Sequence, residues 1–223
     1  MLRNQDPTRT LDSVFAEAFT PQLGRPETEW RERYAAFYAS GFHALQPLTA
    51  RRPEARDVLG WAIAEGYRIV IATNALFPRA AIEARLAWAG VSDLALERVT
   101  VLEDWHFAKP NPAYFAEILA DLGLRPDEAL MIGNDPSDDI APASSLGLSC
   151  WWITDDRLAE PPAGALVVGQ GPLEVFGRWA RECLSSLAPA PSPATALPDL
   201  LTGNLARLWA EFAALEGRPN VWA

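Results

Sequence analysis

Between Leu11 and Leu48 the large apolar positions Phe15, Phe19, Trp30, Tyr34, Phe37, Tyr38 and Phe42 recur at spacings of three, four and seven. That is the period of helices burying one face, and it predicts a small helical subdomain. A further helix is predicted over residues 52–66, with Pro53 near its start and Gly66 just past its end. Residues 67–73, YRIVIAT, then form a continuous apolar run suited to a strand buried on both faces. The alternation repeats: helix 77–90, strand 98–103, helix 111–124, strand 129–133, helix 137–147, strand 148–154, strand 165–168 and helix 172–184. Strands and helices in turn, with short connections, predict an α/β domain with a parallel sheet covered by helices. Active sites in such sheets lie at the carboxyl ends of the strands.

The expected organisation is a helical subdomain over residues 5–50, an α/β core over 51–186, a Pro/Ala-rich linker over 187–198 and a last helix over 199–223. Towards the end of the chain Leu197, Leu201, Leu205, Leu208, Trp209, Phe212 and Leu215 make one apolar stripe, closed by Gly217. A lone amphipathic helix needs a surface to pack on. This one is expected to fold back on the domain, to meet a partner or a second copy, or to begin a domain that this chain does not contain.

The 223 residues carry a formal charge of −10, which argues against nucleic acid or an anionic membrane as partner. No apolar run is long enough for a transmembrane span, and MLRNQDPTRT has neither the basic patch nor the apolar stretch of a secretory signal. A cytoplasmic location is expected. Cys150 and Cys183 have no paired spacing and no His cluster, so they are expected to be buried or half-buried thiols.

Three strand ends carry polar residues. Thr73 and Asn74 follow RIVIA; their hydroxyl and amide can bind phosphate oxygens or serve ordinary turn chemistry. Lys109 stands in FAKPNP before a helix, on a loop stiffened by Pro110 and Pro112, and is the chain's only lysine. A cation there would help hold an anion beside the helix N-terminus. Asn134, Asp135, Asp138 and Asp139 follow ALMIG. Acids at a strand end can cap the next helix, but this many also suit a hard cation such as Mg²⁺.

In this order and at these intervals the three segments resemble the haloacid dehalogenase superfamily, whose members are mostly Mg²⁺-dependent phosphohydrolases with a Rossmann-like sheet. The resemblance covers about residues 45 to 170. It implies that Thr73, with Asn74, binds the phosphoryl group of a small phosphorylated metabolite and that Lys109 offsets the charge of nucleophile and phosphate. Asp135 and Asp139, with Asn134, would complete the Mg²⁺ site, Asp139 serving as ligand or as the acid holding Lys109. Segment 11–48 would be the cap that sets substrate choice, with His43 either reaching the site or simply packed or at the surface. Two departures qualify the match. Asn134 stands where the family has an acid. The family's first motif, an apolar strand ending in Asp-x-Asp that lies between the strands ending at Thr73 and Gly133, has no counterpart here, since neither Asp6 nor Asp12 follows an apolar run. The expectation is therefore an N-terminally shortened form of an aspartyl-phosphate enzyme; the alternative is a catalytically inactive relative that binds phosphate, metal or a partner protein. A receiver-type signalling domain is excluded by the order Thr, Lys, Asp. A dinucleotide-binding domain is disfavoured, because no G-x-G-x-x-G follows a strand.

Overall fold

The computed structural model describes residues 1–184 apart from Arg157. The expected linker and last helix lie outside the described residues. The helical segment is three pieces: α1 (Leu11–Leu23), α2 (Glu27–Ala39) and a 3₁₀ helix, Gly41–Leu48. Thr10 caps α1, its hydroxyl accepting from the Ser13 N–H, and Gly24 ends it at φ 59°, a left-handed conformation that glycine adopts without strain. The aromatic stripe packs as a ladder of rings. Phe15 and Phe19 stack at 4.8 Å, both meet Trp30 edge-on, and contacts continue through Tyr34, Tyr38 and Phe42 to Trp88 at 5.2 Å. Trp88 belongs to α4, so the ladder ties the segment to the α/β layer.

The α/β layer runs α3 (Pro53–Ala64), β1 (Val70–Ile71), α4 (Arg79–Ala89), β2 (Arg98–Val99), α5 (Pro112–Leu122), β3 (Leu130–Gly133), α6 (Ala141–Ser145), β4 (Ser149–Ile153), β5 (Val167–Gly171) and α7 (Leu173–Cys183). Every strand pairing is parallel, as expected. Side chains of β4 alternate between faces. Cys150 and Trp152 join the main core with Tyr114, Phe115 and Ile118 of α5, whereas Trp151 packs with Val58 of α3 and Phe176 and Ala180 of α7.

The described strands form two sheets, β1-β2 and β3-β4-β5, rather than one. This corrects the expected burial of residues 67–73: all are half-buried, because β1 pairs with β2 only and its other edge is open. Ile132, in β3, is likewise 41% exposed, despite being apolar and in a strand. Cys150 is buried but Cys183 is exposed, on the last turn of α7. The helix expected over 137–147 is broken into a π-helical turn, Pro136–Ile140, and the short α6. Pro142 accounts for the break, since it has no N–H to continue the ladder. Among the described residues no helix is long and apolar enough to cross a membrane.

The N-terminal segment is clamped to the loop before α5. Asn4 donates to the His106 carbonyl at 2.7 Å, Asn111 donates back to the Asn4 carbonyl, and the Leu11 N–H reaches the Trp105 carbonyl. His106 is held by the buried Glu117, whose carboxylate lies 2.6 Å from Nδ1 and also accepts the His106 backbone N–H. The Glu117 hydrogen bond raises the His106 pKa against the opposing effect of burial, with a smaller contribution from Asp6. A raised folded-state value means this stabilisation is complete below the ordinary imidazole value of about 6.5 and is lost as pH climbs through the folded value. The urea midpoint should therefore fall between pH 5.5 and pH 8.5. Glu117→Gln should flatten that dependence; an unchanged slope would remove the pair as its source.

Candidate active site

Two strand ends and the first turn of α5 meet at one place. Asn111 caps α5, accepting from the Ala113 N–H, and Pro112 opens the helix, so Lys109 and Tyr114 flank the helix start at fixed positions. Lys109 is 6% exposed and donates to Asp139 at 2.5 Å. Its ammonium also lies 5.7 Å from the Tyr114 ring centroid and 5.8 Å from that of Phe115. Asp139, also 6% exposed, uses its second oxygen to accept the N–H groups of Asn134 and Asp135 at 3.0 and 3.1 Å. Gly133 makes this approach possible. A Cβ there would stand 2.6 Å from the Asp139 carboxyl carbon and oxygen.

Asp135 serves as a cap: one oxygen accepts from the Ser137 and Asp138 N–H groups, both at 2.8 Å. Asp138 has its pKa raised, first by burial and then by the charges of Asp135 and Asp139, with Lys109 opposing. The strand end thus concentrates negative charge beyond what Lys109 neutralises. Among the described residues no three His, Cys, Asp or Glu side chains stand close enough to hold a metal alone. The oxygen-only donor set, with Asn134 and Asp135 both exposed, fits a hard cation that keeps part of its water shell.

At the other strand end, Tyr114 links Thr73 to Lys109. The Tyr114 hydroxyl donates to the Thr73 carbonyl at 2.6 Å, beneath the ring that faces the ammonium. The Thr73 hydroxyl itself donates to the Thr100 carbonyl at 2.7 Å. Asn74 carries a buried Oδ1 with no hydrogen-bond partner, an acceptor lacking a donor at the tip of the strand. Thr73, Asn74, Lys109, Asn134, Asp135 and Asp139 thus lie along this end of the sheets, whereas His43 is exposed and packs edge-on to Trp88 at 6.0 Å. Thr100 and Tyr114 are not among the residues that the sequence singles out. A polar residue inside the apolar run RVTVL is the one signal that marks Thr100; Tyr114 looks like any core aromatic of α5.

The haloacid dehalogenase-like hydrolase family matches residues 8–147. A phosphoserine phosphatase from Thermus thermophilus is 30% identical, over 74% of this chain and 63% of its own. A phosphoglycolate phosphatase from Rhodospirillum rubrum is 32% identical, over 70% of this chain and 66% of its own. The chain therefore spans a little less than two thirds of both relatives. In three dimensions, a HAD phosphatase from Thermococcus onnurineus aligns with TM-score 0.50 and 21% identity, over 75% of this chain and 89% of that one, a likeness of fold. The family match spans more than half of the chain, which therefore belongs to the haloacid dehalogenase-like hydrolase family.

Proposed function

We propose that this domain hydrolyses phosphate monoesters of small metabolites, with a nucleophilic aspartate carried by a strand seated between β1 and β3. The observation that carries this reading is the split sheet: the Thr73 and Gly133 strand ends flank one site, yet β1 and β3 are not paired with each other. The half-exposed β1 and the exposed Ile132 are the apolar surfaces such a strand would cover. The phosphatase relatives support the choice of a phosphate ester.

In this reading Thr73 and Asn74 bind phosphoryl oxygens, and Lys109 offsets the charge of nucleophile and phosphate. A carboxylate oxygen bonds to phosphorus as the ester P–O bond breaks, and the leaving alcohol takes a proton from a neighbouring acid. Water then attacks phosphorus, giving a proton back to that acid's conjugate base as the bond from phosphorus to the carboxylate oxygen breaks, which releases phosphate and restores both groups. Asn134 and Asp135 would hold Mg²⁺, with Asp139 beside them on Lys109; when bound, the ion polarises the phosphoryl oxygens. The segment Leu11–Leu48 would serve as the cap that selects the substrate. A second reading, phosphate binding without turnover, is favoured by one observation: Asp139 is committed to Lys109 and backbone N–H groups, and Asp135 to capping, which leaves neither free to attack.

An aryl phosphate assay separates the two readings. It compares this chain with one extended N-terminally by an apolar strand ending in Asp-x-Asp, each with and without Mg²⁺. The extended form should be active only with Mg²⁺, and this chain slower by at least about a thousandfold, as when a nucleophile is removed. Equal rates would reject the inserted nucleophile; binding without turnover in both would favour the second reading.

A further inference from the structure

The hydroxyl that the proposed reading needs at the phosphate points inward in the free domain. Thr73 Oγ1 donates to the Thr100 carbonyl at 2.7 Å and lies 3.2 Å from Thr100 Oγ1. Thr100 and Tyr114 are both fully buried. The Tyr114 hydroxyl donates to the Thr73 carbonyl at 2.6 Å, and Thr100 Oγ1 stands 2.9 Å from the Tyr114 oxygen and 3.0 Å from the Thr73 carbonyl.

Each hydroxyl has one proton and two lone pairs, so the network can be counted. The Tyr114 proton sits on the Thr73 carbonyl, and the Thr73 proton on the Thr100 carbonyl. Besides Thr73 Oγ1, the Thr100 proton has three acceptors in reach: the Tyr114 oxygen at 2.9 Å, the Thr73 carbonyl at 3.0 Å and the Ile71 carbonyl at 3.4 Å. Suppose Thr73 rotates only its O–H bond outward, toward a phosphate oxygen. Its Oγ1 then has lone pairs facing Thr100 Oγ1 at 3.2 Å, and Thr100 can turn its proton onto them. The Thr73 carbonyl keeps the Tyr114 proton throughout. The Thr100 carbonyl loses one donor, against which stands a charge-assisted bond to phosphate, the stronger kind.

We propose that Thr100 is a positioning residue for Thr73: it donates to Thr73 Oγ1 when Thr73 donates to phosphate, while Tyr114 anchors the Thr73 backbone. This rests on the reading that Thr73 touches phosphate. Thr100 acts only through Thr73 and touches no ligand itself. A residue that merely filled the core would tolerate valine, which matches threonine in shape and lacks the hydroxyl.

The test is calorimetric titration of inorganic phosphate into the full chain and its Thr73→Ala, Thr100→Val, Thr100→Ser and Thr73→Ala/Thr100→Val forms, each with its urea midpoint. Thr100→Val should weaken phosphate about tenfold, the usual scale for one bond in a charged network. Thr100→Ser should restore it, and the double variant should bind no more weakly than Thr73→Ala alone. If Thr100→Val lowers the urea midpoint but leaves phosphate affinity unchanged, or if the two losses simply add, the positioning role is wrong and the phosphate reading stands. If Thr73→Ala binds phosphate as the parent does, or the parent binds none, the phosphate reading falls and the positioning role with it.

Discussion

Lys109→Met will destabilise the fold by about 3–5 kcal/mol and abolish phosphate binding, the largest effect expected of any single substitution at the site. Both partners of the Lys109–Asp139 pair are nearly excluded from water, with side chains 8% and 9% exposed. Removing the ammonium leaves the Asp139 carboxylate buried with two backbone N–H groups and no counter-charge. The loss is one of desolvation, not of a surface salt bridge. It predicts a sharp asymmetry: Lys109→Met/Asp139→Asn, which removes both charges, should recover much of the stability and none of the binding. Urea unfolding at constant slope, beside phosphate titration, reads the two quantities separately. If Lys109→Met proved as stable as the parent, the pair would have to be solvated in a way its burial contradicts.

Gly133→Ala should come next, at about 1–3 kcal/mol, together with weaker phosphate binding. The added methyl would stand 2.6 Å from the Asp139 carboxyl group. Asp139 cannot retreat freely, because one oxygen holds Lys109 and the other receives the Asn134 and Asp135 N–H groups. Relief must come from moving the carboxylate, and Lys109 moves with it. Circular dichroism melting and phosphate titration of this one variant test both consequences. A melting point within a degree of the parent would mean that the strand end yields more than its hydrogen bonds suggest.

Helix limits were the most legible part of the fold, because each carries local chemistry: Asn111 before Pro112 opens α5, and Gly90 and Gly123 close α4 and α5 in left-handed conformations. The strands were less so. The apolar run 67–73 yields only Val70–Ile71 as paired strand, since pairing depends on neighbours far along the chain. The aromatic stripe of 11–48 announced helices, yet its joint to Trp88 lies outside the periodic segment. At the site, the residue types were visible but not their engagements. Lys109 meets Asp139 across 30 positions, and Tyr114 reaches Thr73 across 41. The acids after Gly133 invited either capping or charge pairing; Asp135 took the first role and Asp139 the second. No spacing rule separates those outcomes, because each depends on what the fold brings opposite the strand end.

The isolation of Lys109 has a practical consequence. As the chain's only lysine, and one whose side chain is 8% exposed, it leaves the folded domain without an accessible ε-amine. Acylating reagents should therefore couple at the amino terminus while the domain stays closed. Coupling at Lys109 should occur only when the loop before α5 opens, so its rate under mild denaturant counts those openings one molecule at a time. Mass spectrometry of a single tryptic region would then follow the local breathing of the site with no engineered label.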